Sequence, residues 1–172
     1  DHLMAHRTHS VGDIGFDKDE NLIFTWGDGG FDNNLRLETQ NPDSKQGKLF
    51  RVDPVTLAGV PGNPFYDSND PQSVRSKVWA VGIRNSWRFS VDAVTGDVYL
   101  GEVTDAGPEE INVIRGDGST SPLNFGWPYF QHETSTGHNP TPPPGFEQTS
   151  AWLSYPHTGL PGGDNVTGGS PY

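Results

Sequence analysis

The chain has no cysteine and few basic residues. The absence of Cys from all 172 residues removes disulfides, thiolate metal sites and cysteine nucleophiles. Eleven Lys and Arg stand against 22 Asp and Glu, which gives a net charge of −11. Binding of a nucleic-acid backbone needs a basic face, so we expect no nucleic-acid partner, and an anionic membrane surface is disfavoured for the same reason.

Long apolar runs are also missing, so the sequence predicts no membrane span. It contains no Gly-rich phosphate loop, no serine nucleophile elbow and no dinucleotide fingerprint, which disfavours those enzyme classes. The opening residues 1–4 do not form a signal peptide. They resemble an interior segment, and we expect the natural protein to be longer.

Turn residues and aromatics are abundant: 22 Gly, 15 Pro, and 19 aromatics made up of 5 Trp, 5 Tyr and 9 Phe. Helical periodicity is nearly absent, and short apolar runs alternate with Asp, Asn and Gly turns, which indicates an all-β fold. Residues 129–150 are rich in Pro and Gly and are predicted to be a loop. The predicted strands are 11–16, 21–26, 48–53, 77–83, 87–92, 97–102 and a further one over 152–155.

A repeat is visible in the turns. Residues 52–56 (VDPVT) match residues 91–95 (VDAVT) at an offset of 39, and turn aspartates stand at 17, 53 and 92. A period near 40 with several short strands per unit is typical of β-propeller blades. The alternative is that common Asp turns coincide by chance.

His9 and Asp28 are the candidate catalytic pair. His9 precedes the first predicted strand and Asp28 follows the second, and a hairpin brings such ends together. A carboxylate beside an imidazole fixes its tautomer and makes it a general base. The alternative is an unrelated loop His and turn Asp. A metal cluster of His2, His6 and His9 lacks a fourth ligand at a matching interval.

Three other groups of residues have more than one interpretation. Residues 17–21 begin like a calcium loop, but Leu22 stands where that loop needs Gly, which favours a hairpin turn. Arg84 could hold an anionic ligand or pair with a local carboxylate. Glu109 and Glu110 could be acid/base carboxylates, solvated charges at a strand edge, or groups bonded to a neighbouring loop.

Seven short segments, in order, resemble motifs of the glucose/sorbosone dehydrogenase family, the soluble aldose sugar dehydrogenases. They are residues 8–16 (THSVGDIGF), 21–29 (NLIFTWGDG), 46–53 (QGKLFRVD), 62–65 (GNPF), 82–85 (GIRN), 109–112 (EEIN) and 124–128 (NFGWP).

This resemblance implies a six-bladed β-propeller of four-stranded antiparallel blades. Residues 1–172 would be a partial domain truncated at both ends, with about three to four blades, inactive by itself. It implies an oxidoreductase that oxidises aldose sugars at the anomeric carbon by hydride transfer to pyrroloquinoline quinone, with Ca²⁺ and an external electron acceptor. Secretion or a periplasmic location is expected from the family.

The resemblance also assigns roles. His9 would be the general base and Asp28 its orienting carboxylate. Arg84 would bind the quinone oxygens, with Asn85 beside it. The backbone carbonyls of Thr104 and Asp105 would hold the calcium.

The sequence departs from the family pattern in three ways. Ser86 replaces the usual Pro, Thr104 stands in place of Gly, and the family's upstream Gln and downstream Lys and Arg contacts to the cofactor are not in this chain. Two other functions therefore stay open: a non-catalytic propeller that binds a protein or glycan, and a calcium-dependent propeller lactonase.

Overall fold

In a computed structural model of the chain, residues 8–30, 33–105, 107–137, 141–156 and 166–168 are described. They form ten strands and two short helices: β1 Val11–Phe16, β2 Leu22–Trp26, α1 Asn33–Glu38, β3 Lys48–Val52, α2 Val74–Lys77, β4 Val78–Ala80, β5 Ser86–Val91, β6 Val98–Glu102, β7 Glu109–Ile114, β8 Phe130–Gln131, β9 Thr134–Ser135 and β10 Leu153–Tyr155.

The strands build two four-stranded antiparallel sheets. The first has the order β1-β2-β3-β4, and the second has the order β10-β7-β6-β5. The all-β prediction is confirmed. None of the helices in the described part of the chain is long and apolar enough to span a membrane.

One hydrophobic cluster joins the two sheets. Ile23, Leu49 and Ala80 of the first sheet pack in the same cluster as Val98 and Leu100 of the second, and all five are fully buried. Alternation along each strand turns these side chains to one face. Burial of five aliphatic side chains stabilises the sheet pair, since each contributes roughly 1–3 kcal/mol.

In the structure, the repeated aspartate turns do not each belong to a new sheet. Asp17 and Asp92 each follow the first strand of a sheet, whereas Asp53 follows the third strand of the first sheet. An aspartate turn therefore occurs twice within the first sheet, and the distance between equivalent turns is 75 residues (92 − 17). The described residues accordingly complete two four-stranded sheets, whereas about three to four blades were expected for residues 1–172.

The segment 129–150 is not a continuous loop, because β8 and β9 pair within it as a two-stranded ribbon. The pair is only two residues long on each side, too short for a visible apolar alternation. Strand β7 is likewise absent from the predicted strands, although its apolar residues Ile111, Val113 and Ile114 are buried or half-buried.

The two sheets lie side by side. Strand β1 packs along β5 in the same direction, because Gly12 lies near Ser86 and Gly15 lies near Phe89. We call the edge where β1 and β5 begin and β2 and β6 end the site edge; it carries residues 9–10, 27–30, 82–86 and 102–105. The opposite edge, with the turns at 17–21, 53–58 and 92–97, is the turn edge.

Candidate functional site

His9 and Asp28 meet at the site edge. His9 Nδ1 and Asp28 Oδ1 are 2.7 Å apart. The hairpin aligns them, because Gly27 N–H donates to the Ser10 carbonyl at 3.1 Å and Gly29 N–H to the His9 carbonyl at 3.3 Å. His9 has a φ of 54°, and a Cβ on Gly27 would lie 2.6 Å from the His9 carbonyl oxygen. Glycine at 27 therefore permits this approach.

The carboxylate of Asp28 is 1% exposed and surrounded by donors. Besides His9, Gly30 N–H donates to Oδ1 at 2.8 Å and Trp127 Nε1–H donates to Oδ2 at 3.0 Å. Both oxygens of Asp28 face N–H donors, so His9 Nδ1 is the ring nitrogen placed to donate to the carboxylate, and Nε2 is the ring nitrogen left for a substrate. That arrangement suits a general base.

Arg84 lies directly beside this pair, since Asp28 N–H donates to the Arg84 carbonyl at 2.8 Å. Its guanidinium donates to the Val103 carbonyl at 2.8 Å and to Asp105 Oδ1 at 3.1 Å. Among the described residues, its buried Nε has no hydrogen-bond partner. Arg84 is thus paired with a carboxylate, as one interpretation expected, and keeps a donor for a further group.

Glu102 holds the backbone of the Arg84–Asn85 pair. Its Oε1 accepts the N–H of Arg84 at 2.6 Å and that of Asn85 at 2.7 Å. Burial, with the charge of Glu110 adding to it, raises the pKa of Glu102 to about 8. Glu110 is its cross-strand neighbour, and burial also raises the pKa of Glu110 to about 7.

Thr104 and Asp105, whose backbone carbonyls are the predicted calcium ligands, follow β6. Thr104 Oγ1 donates to the Gly107 carbonyl at 3.0 Å and to Glu109 Oε1 at 3.3 Å, so its side chain faces inward. Glu109 and Glu110 are 0% and 3% exposed, which excludes solvated strand-edge charges; they are bonded to neighbouring loops. Within the described ranges, no group of three His, Cys, Asp or Glu could hold a metal.

The sequence holds two other candidate metal sites, residues 17–21 and the N-terminal histidines. Residues 17–21 form the hairpin turn, with Asp17 Oδ1 accepting the N–H groups of Asp19 and Asn21. His2 and His6 lie outside the described residues.

Sequence reasoning missed Glu102 and Trp127 as parts of the site. Glu102 stands two residues before Thr104, and Trp127 lies in the motif 124–128. Their positions in those motifs were a signal, but their partners are 17 to 99 residues away along the chain.

The two adjacent four-stranded antiparallel sheets, with a buried His–Asp pair and an arginine at one edge, form part of a β-propeller with a polar site. A sequence profile of the family described as Glucose / Sorbosone dehydrogenase matches residues 2–163. The chain therefore belongs to the glucose/sorbosone dehydrogenase family.

Curated relatives agree with this assignment. The chain is 29% identical over 155 residues to the HIPL1 protein of Arabidopsis thaliana, a match that covers 79% of this chain and 22% of that protein. It is 30% identical over 126 residues to the aldose sugar dehydrogenase YliI of Escherichia coli, covering 73% and 30%. The chain thus spans under a third of the length of these relatives.

A solved structure shares the fold. The pyrroloquinoline-quinone-bound form of aldose sugar dehydrogenase from Streptomyces coelicolor matches 88% of this chain and 37% of its own, with a TM-score of 0.62 and 24% identity. At that identity the match shows the fold.

Proposed function

We propose that the whole protein oxidises aldose sugars at the anomeric carbon and uses pyrroloquinoline quinone as cofactor. The observation that carries this proposal is the backbone hydrogen bond from Asp28 to the Arg84 carbonyl, with the Trp127 side chain in contact with both the Asp28 carboxylate and the Arg84 guanidinium, which brings a base and a cation to one edge of the sheets. Membership of the glucose/sorbosone dehydrogenase family supports it, as does the quinone named for the Streptomyces coelicolor relative.

His9 Nε2 takes the proton of the anomeric hydroxyl group. Asp28 accepts the Nδ1–H bond throughout, so it orients the ring and stabilises the imidazolium that forms. Loss of that proton from oxygen and of a hydride from carbon converts the cyclic aldose into a lactone. The quinone, when bound, supplies the acceptor for that hydride, and an external electron acceptor is needed to return the enzyme to its starting state.

Arg84 and Asn85 would hold the quinone. The residues fit such a group because Arg84 keeps a buried Nε donor without a protein partner in the described part of the chain. A guanidinium in a buried setting also stabilises negative charge that grows on the ligand oxygens. The backbone carbonyls of Thr104 and Asp105 would hold Ca²⁺, a cation that prefers oxygen ligands.

The test uses the protein at the full length that its gene encodes, loaded with pyrroloquinoline quinone and Ca²⁺. We expect aldose-dependent reduction of an electron-accepting dye only when both are present. Titration followed by absorbance of the bound quinone should show weaker binding in Arg84→Ala. Arg75→Ala is the matched control, because Arg75 forms an exposed ion pair with Asp43.

Two results would contradict the proposal. Hydrolysis of a lactone with Ca²⁺ alone, without dye reduction, would favour the lactonase. Absence of quinone binding, combined with retention of a glycan or protein ligand, would favour the non-catalytic propeller.

A further inference from the structure

Trp127 contacts both Asp28 and Arg84. It lies in the loop between β7 and β8, and its side chain is 2% exposed. Its indole Nε1–H donates to Asp28 Oδ2 at 3.0 Å, a contact across 99 positions of the chain. Its ring centroid is 5.5 Å from the Arg84 guanidinium carbon, within the range of a cation–π contact.

The backbone of Trp127 is fixed by other elements. Its N–H donates to the Gly82 carbonyl at 3.0 Å. Its own carbonyl accepts from Thr39 Oγ1 at 2.8 Å and from Gln40 Nε2 at 2.7 Å. Gln40 also exchanges side-chain hydrogen bonds with Asn124, at 3.1 and 2.9 Å. The segment after α1 therefore fixes the backbone from which the indole projects.

We propose that Trp127 is a positioning residue that sets the orientation of the His9–Asp28 pair and supports Arg84. The inference rests on the proposed function of His9 as the base. A carboxylate rotates readily about its last side-chain bond, and the indole N–H is the donor that ties down Oδ2. Its removal leaves a buried charged acceptor without that partner, which is costly.

The two contacts of Trp127 can be separated by substitution. Trp127→Phe removes the N–H and keeps an aromatic ring under Arg84, whereas Trp127→Leu removes both. Trp79→Phe is the matched control, because the Trp79 ring lies 5.0 Å from the Arg51 guanidinium carbon on the side of the turn edge.

Kinetics are measured on the full-length protein loaded with pyrroloquinoline quinone and Ca²⁺. Loss of a hydrogen bond to a charged group predicts a fall of about tenfold in kcat for Trp127→Phe, with the sugar KM and the quinone Kd unchanged within about twofold. Trp127→Leu should also weaken quinone binding. Trp79→Phe should change none of these values.

A second measurement needs no turnover. In the cofactor-free full-length protein, labelled with ¹⁵N in Trp and His, the Trp127 indole signal is assigned by its loss in Trp127→Phe. If that variant does not fold, the signal is assigned through-space instead. We expect this signal to move in Asp28→Asn, and the His9 Nδ1–H signal to shift or broaden in Trp127→Phe. A residue with only a structural role would leave the His9 signal in place.

The outcomes separate this inference from the proposed function. If Asp28→Asn slows turnover while Trp127→Phe keeps both the wild-type rate and the wild-type His9 signal, the positioning role is wrong. If the Trp127 indole signal is the same in Asp28→Asn as in the wild type, the inference is also overturned. If Asp28→Asn turns over at the wild-type rate, the proposed function fails, and the two NMR shifts still decide whether Trp127 positions the pair.

Discussion

Polar groups at the site edge and at the turn edge differ in where their hydrogen-bond partners lie along the chain. At the turn edge each aspartate accepts N–H groups two to four residues further along the chain: Asp17 from Asp19 and Asn21, Asp53 from Val55 and Thr56, and Asp92 from Val94 and Thr95. At the site edge the partners are buried and distant, as with Asp28 and Trp127, which are 99 positions apart.

This difference predicts how each edge responds to substitution. At the Asp53 and Asp92 turns, loss of the aspartate leaves the freed N–H groups exposed to water, which replaces the lost acceptor. Asp17 is buried and also accepts from Arg51 Nε at 2.6 Å. A buried group at the site edge has no such replacement, so the loss of one partner leaves the other unpaired. Local sequence thus specifies the turn edge, whereas the site edge depends on assembly of both sheets.

The largest effect is expected for His9→Ala in the full-length, cofactor-loaded protein. A general base acts on the proton as the C–H bond breaks, so its loss mainly raises the free energy of the transition state. We expect kcat to fall about 10²–10⁴-fold, with the sugar KM within a few-fold. Steady-state dye reduction measures both values, and Thr56→Ala at the turn edge is the control. Turnover at the wild-type rate would refute the assignment of His9 as base.

Lys48→Met should give the largest loss of stability. Lys48 is fully buried, and its Nζ donates to the carbonyls of Glu38, Thr39 and Gln46 at 3.0, 2.8 and 2.5 Å. Methionine matches the side-chain length but removes three hydrogen bonds from a charged donor, and the carbonyls of Glu38 and Thr39 keep only the backbone donors of Asn41 and Gly82, so we expect a loss of about 2–4 kcal/mol in the free energy of unfolding.

Denaturant unfolding measures that loss. Lys18→Met is the control at the turn edge, where the side chain is 44% exposed and pairs with Asp19. Equal losses in the two variants would remove the contrast between the edges.

Asp28→Asn should reduce kcat less than His9→Ala, by roughly 10–100-fold, because a hydrogen bond to a charged group contributes about 1.5–3 kcal/mol. The amide has one acceptor oxygen, so it cannot accept from His9, Gly30 and Trp127 as the carboxylate does. His9 itself remains. A rate as low as that of His9→Ala would mean that Asp28 does more than orient the ring.

The smallest effect is expected for Asp53→Ala at the turn edge. The backbone N–H of Thr56 is the main cause that lowers the pKa of the Asp53 carboxyl below its ordinary 3.8. An acid whose pKa falls on folding stabilises the protein above its unfolded pKa, and that contribution is lost as the pH falls through the folded pKa. The variant should therefore be slightly less stable at neutral pH, and the gap should close below pH 3.8. Thermal unfolding across pH checks this; a gap that persists in acid would exclude the charge as its cause.

Much of the fold could be predicted because its strands and turns are specified by residues close together in the sequence. The predicted strands 11–16 and 97–102 match β1 and β6 to within a residue. The prediction 77–83 was too long, because Val81 leaves the sheet to pair with the loop residue Asn124 and Gly82 has a φ of 73°. No periodicity reveals a pairing with a segment 43 residues away.

The candidate site divides in the same way. The His9–Asp28 contact could be inferred from a single hairpin, since both residues flank the same pair of strands. The support that Glu102 gives to Arg84, and that Trp127 gives to Asp28, depends on packing between β6, β7 and the first sheet. The roles of His9, Arg84, Thr104 and Asp105 toward a sugar, quinone or calcium stay predictions.

The turn at 92–97 is a suitable site for attaching other molecules covalently. Val94 there is 94% exposed, and the six residues of β5 place it roughly 20 Å from the site edge. Because the 172 residues contain no native thiol, Val94→Cys would give this chain a single attachment point for a dye, a tether or a solid support. Molecules coupled there would all present the His9–Asp28 pair away from the surface that holds them.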